Sequence, residues 1–129
     1  MKSITLIGSG NLATHLGLAL KKKGFIIVQV YSRKKENSIT LAKILKSEHT
    51  NNINNLMSSD LTIICIKDNA IRKIIGKIRA CNVIHTSGSV SSNIFQGNFK
   101  NYGVIYPLQT FNKHVEINFE DAPICVEGK

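Results

Sequence analysis

The stretch Ser3-Ile4-Thr5-Leu6-Ile7-Gly8-Ser9-Gly10-Asn11-Leu12-Ala13 decides how this chain is read. Five β-prone residues run straight into Gly8-Ser9-Gly10. Beyond the turn, Leu12, Leu16 and Leu20, with Ala13 and Ala19, form an i, i+4, i+8 stripe, which predicts a helix over 11–23. Lys21-Lys22-Lys23 places positive charge at the negative end of that helix, and Gly24 closes it. Phe25–Tyr31 is the next expected strand, so the chain opens with a strand–helix–strand unit.

The same alternation continues outward. Ser38 is expected to cap a helix with an inner face of Leu41, Ala42, Ile44 and Leu45. The asparagine-rich run 50–55 has room for one short edge strand. Leu61–Ile66 is apolar almost throughout, as strands covered on both faces are. Asp68 or Asn69 is expected to cap a helix with Ile71, Ile74, Ile75 and Ile78 on one face. Asn82–His85, Val104–Tyr106 and Ile124–Val126 read as strands, with a short helical turn near Ser92–Gln96. Parallel strands need crossover helices, so the expected architecture is α/β, a doubly wound, mostly parallel sheet in three layers α/β/α. Right-handed crossovers bring Gly8–Asn11, Ser32-Arg33, Lys67-Asp68, Thr86–Ser89 and Tyr106-Pro107 to one sheet edge. Such sheets bind ligands at that edge, where strand order reverses.

Length and composition set bounds on this reading. The 129 residues suffice for one core, and 43% of them are hydrophobic. No apolar run reaches the ~18 residues of a membrane span. The N-terminal residues lack a leader's apolar stretch and cleavage site, so a cytoplasmic location is expected. Cys65, Cys81 and Cys125 form no CxxC pair and are expected as reduced, buried thiols. His15, His49, His85 and His114 show no metal-ligand spacing, and no metal is expected. The net charge of +9 is uneven: residues 1–79 carry 14 basic and 4 acidic residues, residues 80–129 carry 3 and 4. Most cations are lysine, aromatics are 6%, and no nucleic-acid-reading motif is present. A basic face that draws in a small anion is the expectation; specific nucleic-acid binding is the rival, with a steep salt dependence as its signature.

Gly8-Ser9-Gly10-Asn11-Leu12-Ala13 fits G-x-G-x-x-A. Gly8 supplies a tight turn, Gly10 lets a pyrophosphate approach the backbone, and Ala13 lets the helix pack on the strand. Free N–H groups and the dipole at the helix start then attract the anion. An NAD site places a carboxylate about 20 residues beyond the fingerprint. Here that position is Ser32, followed by Arg33, Lys34 and Lys35, with no acid until Glu36. A guanidinium fork holds a 2′-phosphate by charge-assisted hydrogen bonds worth about 1.5–3 kcal/mol each. NADP is therefore expected over NAD, and the missing acid argues against S-adenosylmethionine and FAD. No Ser-His-Asp order, catalytic lysine or carboxylate pair is evident. Hydride transfer needs none, because the cofactor carries the chemistry.

Together with Ser32-Arg33, the segments 59–68, His85-Thr86-Ser87-Gly88-Ser89 and Tyr106-Pro107-Leu108-Gln109-Thr110-Phe111 resemble the N-terminal NADP-binding Rossmann domain of a bacterial family with a helical second domain (DUF2520). That family is similar to pyrroline-5-carboxylate reductase, 6-phosphogluconate dehydrogenase and the F420-dependent NADP reductases. The resemblance implies one cofactor domain over 1–129. It also implies a helical domain, not contained in this chain, that forms a homodimer and completes the active site. It places Ile66, Lys67 and Asp68 along the cofactor, and Thr86, Ser87 and Gly88 beside the nicotinamide. Ser87 would be the catalytic-side hydroxyl, Tyr106 a pocket wall, and Gly8, Ser9, Gly10, Asn11 and Leu12 the pyrophosphate turn. Plainer readings stand beside these: Ser87-Gly88 as a turn, His85 as a strand end rather than a general acid, Asp68 as a helix cap, Tyr106 as packing. The implied function is hydride transfer between NADP(H) and a small C=O or C=N substrate. The alternative is a non-catalytic NADP(H)-sensing module.

Overall fold

The computed structural model describes residues 3–66, 68–79, 82–86, 101–107 and 124–128. In chain order the elements are β1 (Ser3–Ile7), α1 (Asn11–Lys22), β2 (Ile26–Tyr31), α2 (Lys35–Leu45), β3 (Glu48–Thr50), β4 (Leu61–Ile64), α3 (Asp68–Ile74), β5 (Asn82–His85), β6 (Asn101–Pro107) and β7 (Ile124–Gly128). Short 3₁₀ turns occupy Ile53–Asn55 and Ile75–Lys77. The strands form one sheet in the order β3-β2-β1-β4-β5-β6-β7. β1 to β6 are parallel, and β7 returns antiparallel to β6.

Side-chain alternation along the strands divides the core. Ile4, Leu6, Val30 and Ile63 pack with Ala13 and Leu16 of α1 and with Leu41 and Leu45 of α2. Ile7, Ile64 and Val83 pack with Ile71, Ile75 and Ile78 on the α3 side. Gly17 sets the fit of the first layer. A Cβ there would come to 2.7 Å from a Leu45 methyl and 3.0 Å from a Leu6 methyl, so any larger residue requires those core side chains to shift.

Several local expectations shift. Ser38 does not cap α2. The cap is Lys34, four residues earlier, and the buried Ser38 hydroxyl donates to the Lys35 carbonyl at 2.8 Å. Ile44, expected inside, is 47% exposed, because the stripe of Leu41, Ala42 and Leu45 already fills the contact. The edge strand lies at Glu48–Thr50, before the asparagine run, whose Asn52 carboxamide accepts from the Asn54 N–H and turns the chain. β4 stops at Ile64, two residues short of the apolar run. The helix bearing Ile71 tightens into a 3₁₀ turn at Ile75, with Gly76 inside it. The turn expected near Ser92–Gln96 lies outside the described residues.

The end of α2 carries two polar devices. Lys21 reaches from α1 and donates to the Leu45 carbonyl at 2.6 Å, placing a cation on the negative end of α2. Lys46 takes the left-handed conformation (φ 56°, ψ 51°) and lets the Ser47 N–H donate to the Ala42 carbonyl at 2.9 Å. A lysine is strained there and a glycine is not. Lys46→Gly is expected to stabilise the fold by about 0.5–1 kcal/mol, read as a melting temperature raised by roughly 2–4 °C.

Candidate dinucleotide-binding edge

Strand order reverses between β1 and β4: β2 and β3 continue to one side of β1, and β4 and β5 to the other. The carboxyl ends align in register, Tyr31 beside Ile7, Ile7 beside Ile64, and Ile64 beside His85. Backbone bonds carry the sheet one residue past those ends. The Gly8 N–H donates to the Tyr31 carbonyl at 2.8 Å and the Cys65 N–H to the Ile7 carbonyl at 2.7 Å. Gly8 has φ 125°, and a Cβ on it would collide with the Cys65 carbonyl oxygen. Both facts require glycine, and the second ties the turn to the neighbouring strand.

Gly10 contrasts with it. Among the described residues, nothing lies within 4 Å of where its Cβ would stand. It is the N-cap of α1, no side chain caps the helix, and the first turn holds no acid. The Thr14 N–H and hydroxyl both turn back to the Gly10 carbonyl, at 3.0 and 2.8 Å. Open space therefore faces the positive end of a twelve-residue helix. Ala13, expected to be the packing residue, is fully buried in the core. Four residues on, Gly17 shares its face; a glycine inside an otherwise apolar helical stripe was the signal for it in the sequence.

The tip of β2 is joined to this turn. The Ser9 hydroxyl donates to the Ser32 hydroxyl at 3.1 Å, and the Ser32 N–H donates to the Thr50 carbonyl at 3.2 Å. Ser32 is thereby buried, while Arg33 and Lys34 are exposed just beyond it. Asn11 is exposed and Leu12 half-buried at the start of α1.

On the other side of the switch point, Ile66 packs against the α3-side core, and α3 begins at Asp68. Thr86, past the end of β5, is buried, and its N–H and hydroxyl both donate to the Ile64 carbonyl, at 3.2 and 3.3 Å. His85 is completely buried. The backbone of Tyr106 pairs with Cys125. Lys67, Ser87, Gly88 and the side chains of Asp68 and Tyr106 lie outside what the structure describes.

Cys65 sits between these two halves. Burial pushes its thiol up to about 12, opposed in part by a hydrogen bond with Thr86. The thiol therefore stays protonated through neutral pH and is a poor nucleophile. Its thiolate fraction at pH 8 is expected to be roughly 1,000-fold below that of an ordinary cysteine. Iodoacetamide labelling of the native protein, read on the Cys65 peptide, checks this; labelling at the rate of glutathione contradicts it. Among the described residues no cluster of His, Cys, Asp or Glu is placed to hold a metal ion, and no helix is long and apolar enough to cross a membrane.

A parallel sheet with a glycine turn at its switch point, opening an uncapped helix, defines a Rossmann-type domain. More particularly, the chain belongs to the family described as NADP oxidoreductase, coenzyme F420-dependent, whose model matches residues 3–87. Among solved structures it is similar to a protein from Bacteroides fragilis assigned as an NADP oxidoreductase. That match has 40% identity and a TM-score of 0.91, and covers 98% of this chain and 51% of the other. The fold is shared with 1-pyrroline-5-carboxylate reductase from Streptococcus pyogenes, at 17% identity and TM-score 0.78, covering 99% of this chain and 49% of the other. It is shared also with prephenate dehydrogenase from A. aeolicus, solved with hydroxyphenyl propionate and NAD+. There identity is 15% and TM-score 0.75, over 98% of this chain and 50% of the other. The chain thus spans about half the length of each. No curated protein matches the sequence.

Proposed function

We propose that residues 1–129 form the NADP(H)-binding domain of an oxidoreductase that exchanges hydride with a small C=O or C=N substrate. The observation that carries this reading is the open space over Gly10, at an uncapped helix start on the switch-point edge. That is the shape and polarity a diphosphate requires. Gly8, Ser9, Gly10, Asn11 and Leu12 would hold the diphosphate, chiefly through main-chain N–H groups. Ser32, Arg33 and Lys34 would take the 2′-phosphate. Ser32 is fixed by its neighbours, the two cations beside it are exposed, and the first acid, Glu36, lies within α2. Ile66, Lys67 and Asp68 would line the dinucleotide. Thr86, Ser87, Gly88 and Tyr106 would stand at the nicotinamide end, with the Ser87 hydroxyl beside the substrate.

When bound, the nicotinamide supplies the hydride. The chain's own part is to orient the dinucleotide, while the Cys65 thiol, whose backbone abuts the Gly8 turn, stays protonated and offers no competing nucleophile. The matched relatives are about twice as long. A helical second domain that closes the substrate site and forms a cytoplasmic homodimer completes the proposal.

Arg33→Ala tests the phosphate assignment. Loss of one charge-assisted contact predicts NADPH affinity lower by roughly ten- to a hundred-fold, with NADH affinity changed less than about twofold. Equal loss for both cofactors, or none, removes Ser32, Arg33 and Lys34 from the site.

A further inference from the structure

The flank of the sheet that carries α3 holds a half-open cavity of about 350 Å³, lined by Ile53, Asn54, Leu56, Lys77 and Arg79. Among the described residues it shares no lining residue with the dinucleotide-binding edge. α3 starts at that edge and runs back toward the amino end of β5, and Lys77 and Arg79 come at the end of this run. The opposite wall is the crossover from β3 to β4.

Both walls are anchored. The buried Gln29 carboxamide donates to the Asn55 carbonyl at 3.2 Å and accepts from the Met57 N–H at 2.7 Å, pinning the chain on either side of Leu56. Ile53 and Leu56 pack on the core that contains Ile75 and Ile78, the neighbours of Gly76-Lys77 and Arg79. The cavity is therefore held by the hydrophobic core, and its volume falls in the range of small-molecule sites.

Its polar groups are unbalanced. Among the described residues, Lys77 and Arg79 form no hydrogen bond or ion pair, and no carboxylate lines the cavity. The Asn54 N–H is engaged by the Asn52 carboxamide, and Asn54 itself is an exposed residue of the lining. Two cations and an amide thus face two aliphatic walls. The cations ask for an anion, and a guanidinium fork matches a planar carboxylate. Ile53 and Leu56 ask for an apolar body on the same molecule. We propose that this cavity is a binding site for a small organic carboxylate with an apolar body, distinct from the cofactor site.

The test is a ¹H–¹⁵N NMR titration of this chain with benzoate, benzamide and inorganic phosphate in turn. Benzoate is expected to give saturable shifts at residues 53–56 and 77–79, with a Kd of about a millimolar for so small a ligand. Benzamide and phosphate, each lacking one half of the recognition, should bind at least about tenfold more weakly. Lys77→Ala and Arg79→Ala alter exposed side chains, so the fold is retained. Each should weaken benzoate roughly tenfold while leaving NADPH affinity within about twofold. Benzoate shifts confined to residues 8–13 and 32–33 would mean that the acid merely occupies the phosphate corner, and overturn the proposal. So would benzamide binding as well as benzoate, phosphate binding as well as benzoate, or no saturation. NADPH binding is measured separately, so failure here is distinguishable from failure of the cofactor assignment.

Discussion

Gly10→Val is expected to lower NADPH affinity by at least about 100-fold while the protein remains folded. The structure separates the two effects. The added Cβ meets no atom of the described residues within 4 Å, so no described packing is disturbed. It does fill the space over the first N–H groups of α1, where a diphosphate has to approach main chain. Lost contact with several N–H donors to a charged group accounts for a change of this size. Valine is also a poorer N-cap than glycine, which costs about 1 kcal/mol and lowers the melting temperature by a few degrees. Cofactor titration beside a thermal melt separates binding from folding. Affinity retained by a folded Gly10→Val protein would put the crevice elsewhere.

Gly8→Ala should act in the opposite way, on the fold first. The residue combines a left-handed φ of 125° with direct contact against the Cys65 backbone. A methyl group there cannot be absorbed by a side-chain rotation, because the obstacle is the backbone carbonyl of Cys65, one residue past the end of β4. Strain at such a backbone position and displacement of a central strand together predict a loss of about 3 kcal/mol or more. For a chain of this size the melting temperature falls by roughly 10 °C or more. Chemical denaturation measures it directly. A loss below about 1 kcal/mol would mean that the turn does not adopt this geometry. The two glycines of one fingerprint thus do different work: Gly8 permits the approach of β4, Gly10 the approach of a ligand.

Much of this is legible in the sequence, for reasons visible in individual residues. The strand–turn–helix unit at residues 3–22 declares itself because a glycine pair interrupts β-prone residues and a leucine stripe follows. The central strands are legible because both faces are covered, which leaves Leu61–Ile64 almost wholly apolar. What fails is local. Ser38 looks like a cap, but a hydroxyl inside a helix satisfies itself on the carbonyl three residues back. Glu48-His49-Thr50 gives no strand signal, since a three-residue edge strand buries too little to need apolar residues. The 3₁₀ turn at Ile75–Lys77 lies within a pattern that keeps helical spacing throughout. In the site, the glycine turn and the tip of β2 could be placed from spacing alone. The hydroxyl link from Ser9 to Ser32 and the obstruction by Cys65 could not, because each joins residues far apart in the chain; a glycine inside the apolar stripe marks Gly17 but does not name Leu45 and Leu6 as what it meets.

Fluorescence titration of this chain with NADPH and, in parallel, NADH tests the central claim most directly. Saturable NADPH binding, at least about tenfold tighter than NADH, is the expected result, since one phosphate contact with Arg33 is worth that much. Absence of saturable binding by either nucleotide, from a folded protein, would contradict a diphosphate site at Gly8–Leu12. NADH binding as tightly as NADPH would contradict the phosphate-selecting role of Ser32, Arg33 and Lys34.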